Sequence, residues 1–374
     1  MKKICVTHIF SSKRVSSFST IRKFEVKQLM KIISGHASSL GVTNLSELLL
    51  SFSSTMICRI AFGRRYEDEG TERSRFHGLL NEIQAMASTF FISDYIPFTG
   101  WIDKLKGLHA RLEQSCKELD RFYQEVIDEH MGSNRQQTQE QDMVDVLFQL
   151  KNDPSIAIDL TYDHIKGVIM DILVAGTDTT AAVSVWAMTA LMKNPRVMKK
   201  VQEEIRHVGR AKDFLDEDDI QKLTYLKAVM KETLRLHLPA PLLVPRESNE
   251  ECIIDGYRIP AKTIVYVNVW AIQRDPEIWK NPEEFYPERF LDSSIDFHGQ
   301  DFELIPFGAG RRFCPGVPMA IVTLELVLAN LLHSFDWELP QGMVKEDIDV
   351  EVFPGITQHK KNHLCLCASP RSHT

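Results

Sequence analysis

The chain has 374 residues, of which 44% are hydrophobic and 25% are charged, and its formal net charge is −7. These values are ordinary for a folded globular protein, and the acidic balance gives no support for nucleic-acid binding. The seven cysteines form no C-x-x-C pair, which argues against a disulfide framework and indicates reduced thiols.

The predicted elements are mostly helical. The opening MKKICVTHIF lacks the long apolar core and small-residue cleavage site of a secretory signal peptide. Residues 117–131 and 195–209 have the spacing of amphipathic helices. Short strand-like runs come late, at 252–260, 263–270 and 362–368. Since no convincing linker divides the chain, we predict a mainly α fold with small β-sheets and a single domain over residues 1–374.

The longest predicted helix runs from about Thr161 to Lys193. One face of it carries a repeating set with alternating spacings of four and three: Ile165, Ile169, Ile172, Gly176, Thr179, Val183, Trp186 and Ala190. Gly176 and Thr179 interrupt this otherwise apolar stripe, and Asp178 lies beside them. A helix built only for packing would not usually combine a gap, an alcohol and a carboxylate. Residues 172–192 are long enough to span a membrane, but they lack flanking anchors, so we predict a buried helix.

A second constellation joins two helix residues to a distant arginine. Glu232 and Arg235, in KETLR, are three residues apart and can pair on one side of a helix. The simplest interpretation is a weak surface ion pair. However, Arg289 in FYPERF lies among prolines and aromatic residues, where a solvated arginine is unusual. A buried Glu232–Arg235–Arg289 network could hold a neighbouring loop in place.

The segment PFGAGRRFCPG, residues 306–316, places Cys314 on a glycine-rich turn before an apolar run. A lone cysteine most often fills space in a core, and a nucleophile would need a histidine partner. No further zinc ligand lies within a dozen residues, and the glycine pattern does not match a dinucleotide-binding loop. The remaining role for Cys314 is that of a single thiolate ligand to a metal cofactor, such as haem, that supplies the other ligands itself.

Four motifs in this order resemble the cytochrome P-450 superfamily, the haem-thiolate monooxygenases. The F-x-x-G-x-R-x-C-x-G motif is matched by Phe307, Gly310, Arg312, Cys314 and Gly316. The E-x-x-R and PERF motifs are matched at 232–235 and 287–290, and the A-G-x-D-T-T motif at 175–180. The sequence around these motifs is similar to that of the plant microsomal group, and the similarity covers essentially the whole chain.

The resemblance implies a role for each matched residue. Cys314 would be the axial ligand of the iron of haem b, with Phe307, Gly308 and Gly310 around the sulfur. Arg312, Arg246 and Lys2 would contact the haem propionates. Asp178 and Thr179 would relay protons, and Gly176 would leave room for dioxygen. The implied substrate pocket draws on a scattered apolar set: Met86, Phe90, Phe91, Ile172, Val183, Leu242, Leu243, Phe353 and Ile356.

Two features fall outside the motifs. Microsomal members carry an N-terminal anchor, a hinge and first helices and strands that have no counterpart here, so we expect a truncated domain. His359 and His363 have the spacing H-x-x-x-H. Both histidines lie among polar residues next to the strand-like run at 362–368, so we expect both side chains to be exposed rather than to bind a metal ion.

The resemblance implies insertion of one oxygen atom from O₂ into a small lipophilic substrate. Electrons would come from NADPH through NADPH–cytochrome P-450 reductase, docked near Lys199, Lys200 and Arg210. The family form would reside at the endoplasmic reticulum membrane, on its cytosolic face. Two alternatives stay open: a haem-thiolate isomerase or dehydratase, which tends to lose the acid–alcohol pair, and a truncated non-catalytic protein.

Overall fold

The computed structural model describes residues 1–39, 41–65, 78, 79, 82, 85, 86, 89–96, 98–132, 141–155 and 159–371. Most of this chain is helical, with three small antiparallel sheets, which confirms the predicted fold class. The helices are α1 Lys2–Ile4, α2 Ser12–Ser17, α3 Ser19–Ser38, α4 Leu45–Phe62, α5 Gly100–Leu105, α6 Leu108–Met131, α7 Met143–Asn152, α8 Tyr162–Lys193, α9 Pro195–Val208, α10 Glu217–Ile220, α11 Thr224–Leu236, α12 Val269–Ile272 and α13 Val317–Ser334.

The strands are β1 Val42–Asn44, β2 Arg246–Glu247, β3 Cys252–Ile254, β4 Tyr257–Ile259, β5 Ile264–Val265, β6 Phe335–Glu338 and β7 Cys365–Pro370. One sheet has the order β1-β7-β6, and β2-β5 and β3-β4 form two-stranded pairs. Asp255 and Gly256 both have positive φ, at 50° and 80°, so this D-G pair makes the tight turn between β3 and β4.

The predicted strand over 263–270 is wrong beyond Val265. Asn268 accepts a hydrogen bond from the Ala271 N–H through its side-chain oxygen at 3.0 Å and so starts the short helix α12. This local cap outweighs the β propensity of the surrounding valines and tyrosine because it satisfies a backbone donor at a helix start.

Helix α8 crosses the centre of the molecule. It begins at a capping box, in which Thr161 and His164 exchange side-chain and backbone hydrogen bonds, and it ends just before the Asn194–Pro195 step. Helix α4 packs along it so closely that a β-carbon on Gly176 would lie 2.8 Å from Ile57 Cδ1. A side chain at position 176 would therefore push against the end of the Ile57 side chain, and glycine lets α4 approach without that displacement.

Among the described residues, three helices are long and apolar enough to cross a membrane by length and composition: α4, α8 and α13. Within the fold, 67%, 67% and 72% of their most apolar windows are buried, respectively. These helices pack against one another, as expected for the predicted buried helix at 172–192.

The end of α11 and the C-terminal segment meet on one face of α8. The Trp186 ring stacks on the His237 ring with centroids 4.9 Å apart, and Trp186 Nε1 donates to the Gln358 carbonyl at 2.9 Å. Gln358 N–H in turn donates to the Pro239 carbonyl at 2.8 Å. These contacts fix the position of the chain around residue 358 relative to α8.

His237 makes the stability of this junction depend on pH. Burial, and then the charges of Arg274, Arg235 and Lys193, lower its pKa from 6.5 to about 4. Below about pH 6.5 the unfolded chain binds a proton that the folded chain does not bind, so stability falls as the pH drops towards 4.

We expect His237→Phe, which keeps the aromatic stack, to reduce this acid sensitivity. At pH 5 the native histidine should cost about 1–2 kcal/mol of unfolding free energy relative to pH 7.5. Urea unfolding of both proteins at the two pH values measures the difference. An equal loss of stability in the two proteins would show that His237 is not responsible.

Candidate functional site

The loop that carries Cys314 is a tight turn made possible by two glycines. Gly308 and Gly310 have φ of 72° and 62°, a left-handed conformation that residues with a β-carbon rarely adopt. The turn closes where the Cys314 N–H donates to the Phe307 carbonyl at 3.1 Å. Helix α13 begins three residues after Cys314, at Val317. The fold therefore presents the sulfur on a rigid loop at a helix N-terminus.

Two opposing effects act on the Cys314 thiol. Burial raises its pKa, and hydrogen bonds from the N–H groups of Gly316 and Val317 oppose that rise. Burial is the larger of these effects on the pKa when no cofactor is bound. The thiolate form implied by the resemblance therefore needs a bound cation. A metal ion at the sulfur would supply that charge, since metal thiolates form by loss of the proton.

Cationic side chains surround the cysteine loop. Arg246 lies over Gly308, since a β-carbon there would be 3.9 Å from Arg246 Nη2. Among the described residues, no acidic partner is seen for Arg246 or Arg312. Lys2 Nζ donates to the Arg311 carbonyl at 2.8 Å, and the Gly310 carbonyl lies 3.4 Å away. The loop thus carries positive charge that an anionic ligand can neutralise.

A buried ion network supports the chain that leads to this loop. Arg235 Nε donates to Glu232 Oε2 at 2.7 Å, and both side chains are fully buried. Arg289 Nε donates to Glu232 Oε1 at 3.1 Å. Arg235 also donates to the carbonyls of Gln273 and Pro282, both at 2.8 Å. The network therefore ties α11 to the segment between α12 and the cysteine loop.

Asp178 and Thr179 make different contacts on α8. The Thr179 hydroxyl donates to the Ala175 carbonyl, one turn back, at 2.6 Å. Asp178 is 5% exposed, and its Oδ1 lies 2.5 Å from His359 Nε2. His359 is partly exposed rather than fully exposed as expected, because this contact holds one edge of the ring against α8. His363 is exposed, as expected.

A sequence model of the cytochrome P450 family matches residues 1–366. The chain is 50% identical to cytochrome P450 71A9 of Glycine max, covering 99% of this chain and 74% of that protein. It is 47% identical to strychnine-11-hydroxylase of Strychnos nux-vomica, with coverages of 99% and 73%, and 48% identical to 5-OH-xanthotoxin synthase of Pastinaca sativa, with coverages of 98% and 73%.

The chain belongs to the cytochrome P450 family. It is a plant P450, which confirms the resemblance to haem-thiolate monooxygenases. A zebra fish cytochrome P450 structure with abiraterone has the same fold, with a TM-score of 0.80, 24% identity, and coverages of 99% of this chain and 81% of that chain.

The residues at the cysteine loop of this P450 fit a haem group. The family implies haem as the cofactor. Haem brings two carboxylates and an iron ion, and the loop offers arginines without an acidic partner among the described residues and a thiol at a helix N-terminus. The chemistry of the donor set and that of the cofactor therefore match.

The apolar residues expected to line the substrate pocket are distributed unevenly. Met86, Ile172 and Val183 are buried, and Phe91 and Leu243 are partly buried. Four others are exposed: Phe90, Leu242, Phe353 and Ile356. Of the whole set, Leu243 is tied directly to the cysteine loop, since its Cδ1 would lie 3.6 Å from a β-carbon on Gly308.

We expect Glu232→Gln to destabilise this P450 strongly. Removing the carboxylate charge leaves Arg235 buried without compensation, and such losses cost about 3–5 kcal/mol of unfolding free energy. Urea unfolding measures the change. Glu113→Gln, at an exposed i,i+4 pair with Lys117, is the control and should leave the transition nearly unchanged. A similarly small shift for both variants would contradict a structural role of the network.

Proposed function

We propose that residues 1–374 form a single cytochrome P450 catalytic domain that binds haem b and inserts one oxygen atom from O₂ into a small lipophilic specialised metabolite. The observation that carries this proposal is the rigid turn that presents Cys314 at the start of α13, beside Arg246, for which no acidic partner is seen among the described residues. When bound, the haem supplies the redox-active iron at which dioxygen is activated.

In this proposal the cysteine loop holds the cofactor. Cys314 would hold the iron through its thiolate, Phe307 would shield the sulfur, and Gly308 and Gly310 would let backbone amides approach it. Arg246 and Arg312 pair with the propionates. Lys2 Nζ donates to loop carbonyls and keeps a further donor for a propionate, because an ammonium group has three.

The long helix α8 supplies the proton relay. Asp178 binds and releases protons, and the Thr179 hydroxyl, anchored on the Ala175 carbonyl, keeps its lone pairs available as acceptors. The space beside Gly176 is taken by the Ile57 side chain, which would have to turn away to leave room for dioxygen. Acting in the order acid, then alcohol, the two residues would pass protons towards the place where dioxygen reacts.

The substrate class follows from the relatives. One is named for hydroxylating strychnine, and two from Pastinaca sativa are named for coumarin or xanthotoxin products. All of these are small polycyclic molecules. We place the substrate between α8, at Ile172 and Val183, and the apolar segments around Met86, Phe90 and Phe91, around Leu242 and Leu243, and around Phe353 and Ile356.

NADPH–cytochrome P450 reductase supplies the electrons in this proposal. The contact surface would include Lys199 and Arg210 on and after α9. Lys200 is less available because its Nζ lies 3.1 Å from Glu288 Oε1. We place the protein at the cytosolic face of the endoplasmic reticulum membrane, where such a reductase and lipophilic substrates meet.

We expect Cys314→Ser to abolish the spectrum of thiolate-ligated haem. Reduced wild-type protein with carbon monoxide should give the long-wavelength Soret band of a thiolate ligand, because the sulfur is an electron-rich donor. A difference spectrum measures it. Cys252→Ser, on the exposed β3–β4 hairpin, is the control and should keep the band. Haem-free protein, or a band that survives the change at 314, would overturn the assignment.

We expect Thr179→Ala to separate NADPH consumption from product formation. Loss of a relay group slows proton delivery, which contributes about 10²–10⁴-fold in such steps, so more reducing equivalents should leave as hydrogen peroxide. Product and NADPH are measured together with coumarins and strychnine as probe substrates. Thr189→Ala is a matched control, since Thr189 donates to the carbonyl one turn back in the same helix but lies away from the relay.

Unchanged coupling in the Thr179 variant would contradict the relay. Product formed without NADPH and O₂ would instead indicate an isomerase or dehydratase.

A further inference from the structure

His359 forms a close contact with the acid of the relay. Its Nε2 lies 2.5 Å from Asp178 Oδ1, and the two residues are 181 positions apart in the chain. In the form with an ionised Asp178, Nε2 carries the proton and Nδ1 is the ring nitrogen left to accept, because a carboxylate can only accept a hydrogen bond. The ring is thus oriented by the acid that it contacts.

The backbone on both sides of His359 is held in place. The Gln358 carbonyl accepts from the Trp186 indole, and the His359 carbonyl accepts from the Phe353 N–H at 2.9 Å. Lys360 forms a β-bridge with Val352. The imidazole therefore projects from a fixed platform, and its approach to Asp178 follows from the fold rather than from a flexible surface chain.

The other side of His359 is open to solvent. The His359 side chain is 31% exposed, whereas the side chain of Asp178, taken without its backbone, is 7% exposed. His359 lines a surface cavity that it shares with Glu47 of α4 and with Ala181 and Val185 of α8. The imidazole thus has one nitrogen against a buried acid and an edge towards water.

The charged and titratable groups around His359 come from three elements. Besides Asp178 on α8, they are Glu47 on α4 and Lys360 and His363 on the C-terminal segment. Lys360 Nζ is held by Asp349 Oδ2 at 2.7 Å, and His363 Nδ1 lies 2.8 Å from Asn44 Nδ2. Within the part of the chain that the structure describes, His359 is the titratable side chain seen to link this cavity to Asp178.

Asp178 needs a supply of protons from this side. Adjacent residues on a helix point about 100° apart, so Asp178 and Thr179 face different directions from α8. Thr179 bonds to its own helix, and Asp178 bonds towards the C-terminal segment. His359, the side chain that contacts Asp178 on its outer side, is a route through which a proton given inward by Asp178 can be replaced.

We propose that His359 is the solvent-side positioning residue of the relay, which orients Asp178 and passes it protons from cavity water. This rests on the proposed monooxygenase function. Cavity water protonates Nδ1, and the Nε2 proton moves to Asp178 Oδ1, so the imidazole returns to neutral while the carboxyl becomes protonated. After Asp178 releases that proton inward, exchange of the ring with water restores the Nε2–H form, and one proton has been moved.

The test separates proton transfer from orientation. His359→Gln keeps an amide donor in place of Nε2 but cannot be protonated, and His359→Ala removes the donor as well. The matched control is His363→Gln, a histidine at the same cavity that contacts Asn44 instead. All variants must first show the same carbon monoxide spectrum as the native protein. Failure of the native protein in that assay would overturn the proposed function, and the relay role with it, whereas a native protein that passes the assay lets the variants test His359 alone.

The first readout does not depend on activity. Histidine side chains labelled with ¹⁵N are observed by NMR in the reduced, carbon monoxide-bound form, which is diamagnetic, and the signal absent in His359→Gln identifies the residue. We expect this signal to shift in Asp178→Asn and to stay in place in Thr189→Ala. An unchanged signal in Asp178→Asn would overturn the contact.

The second readout is the ratio of product to NADPH consumed, with 7-ethoxycoumarin as the probe. We expect His359→Gln and His359→Ala to lower this ratio equally, by about tenfold or more, and His363→Gln to change it less than twofold. Restoration of the native ratio by glutamine would show that His359 only orients the acid, and would overturn its part in proton transfer.

Discussion

The architecture of the cysteine loop depends on one buried carboxylate. Glu232 accepts hydrogen bonds from Arg235 and Arg289 and also from the Tyr286 N–H at 2.8 Å. A buried carboxylate alone would be costly, and two guanidinium groups with complementary planar donors compensate for it. Because Arg235 also binds backbone carbonyls, the network shapes the irregular chain before the loop. Rigidity at Cys314 therefore begins at an ion network on a different helix.

Local signals made several of these features predictable. The long helix could be placed because Thr161 is a cap and Asn194–Pro195 is a stop, and the structure has Tyr162–Lys193. The pairing of Glu232 with Arg235 follows from a spacing of three residues on a helix. The predicted strand-like run over 252–260 is divided by the D-G pair at 255–256, whose backbone conformation makes it a hairpin of two strands. Each of these depends on residues near one another in sequence.

Features that depend on long-range packing could not be predicted from the local sequence. His359 and Asp178 are brought together by the anchoring of Gln358 on Trp186, and nothing in the H-x-x-x-H spacing indicates a partner 181 positions away. The exposure of Phe353 and Ile356, in contrast to the burial of Ile172 and Val183, is equally a consequence of how segments pack. The prediction of a strand over 263–270 is wrong beyond Val265 because the Asn268 cap starts a helix against the β propensity of the neighbouring residues.

The C-terminal segment also connects two parts of the proposed reaction. Phe353, proposed to border the substrate, donates its N–H to the carbonyl of His359. A ligand that displaced Phe353 would therefore move the backbone that carries the imidazole and change its distance from Asp178. Proton supply and substrate occupancy would then be linked through a single hydrogen-bonded turn.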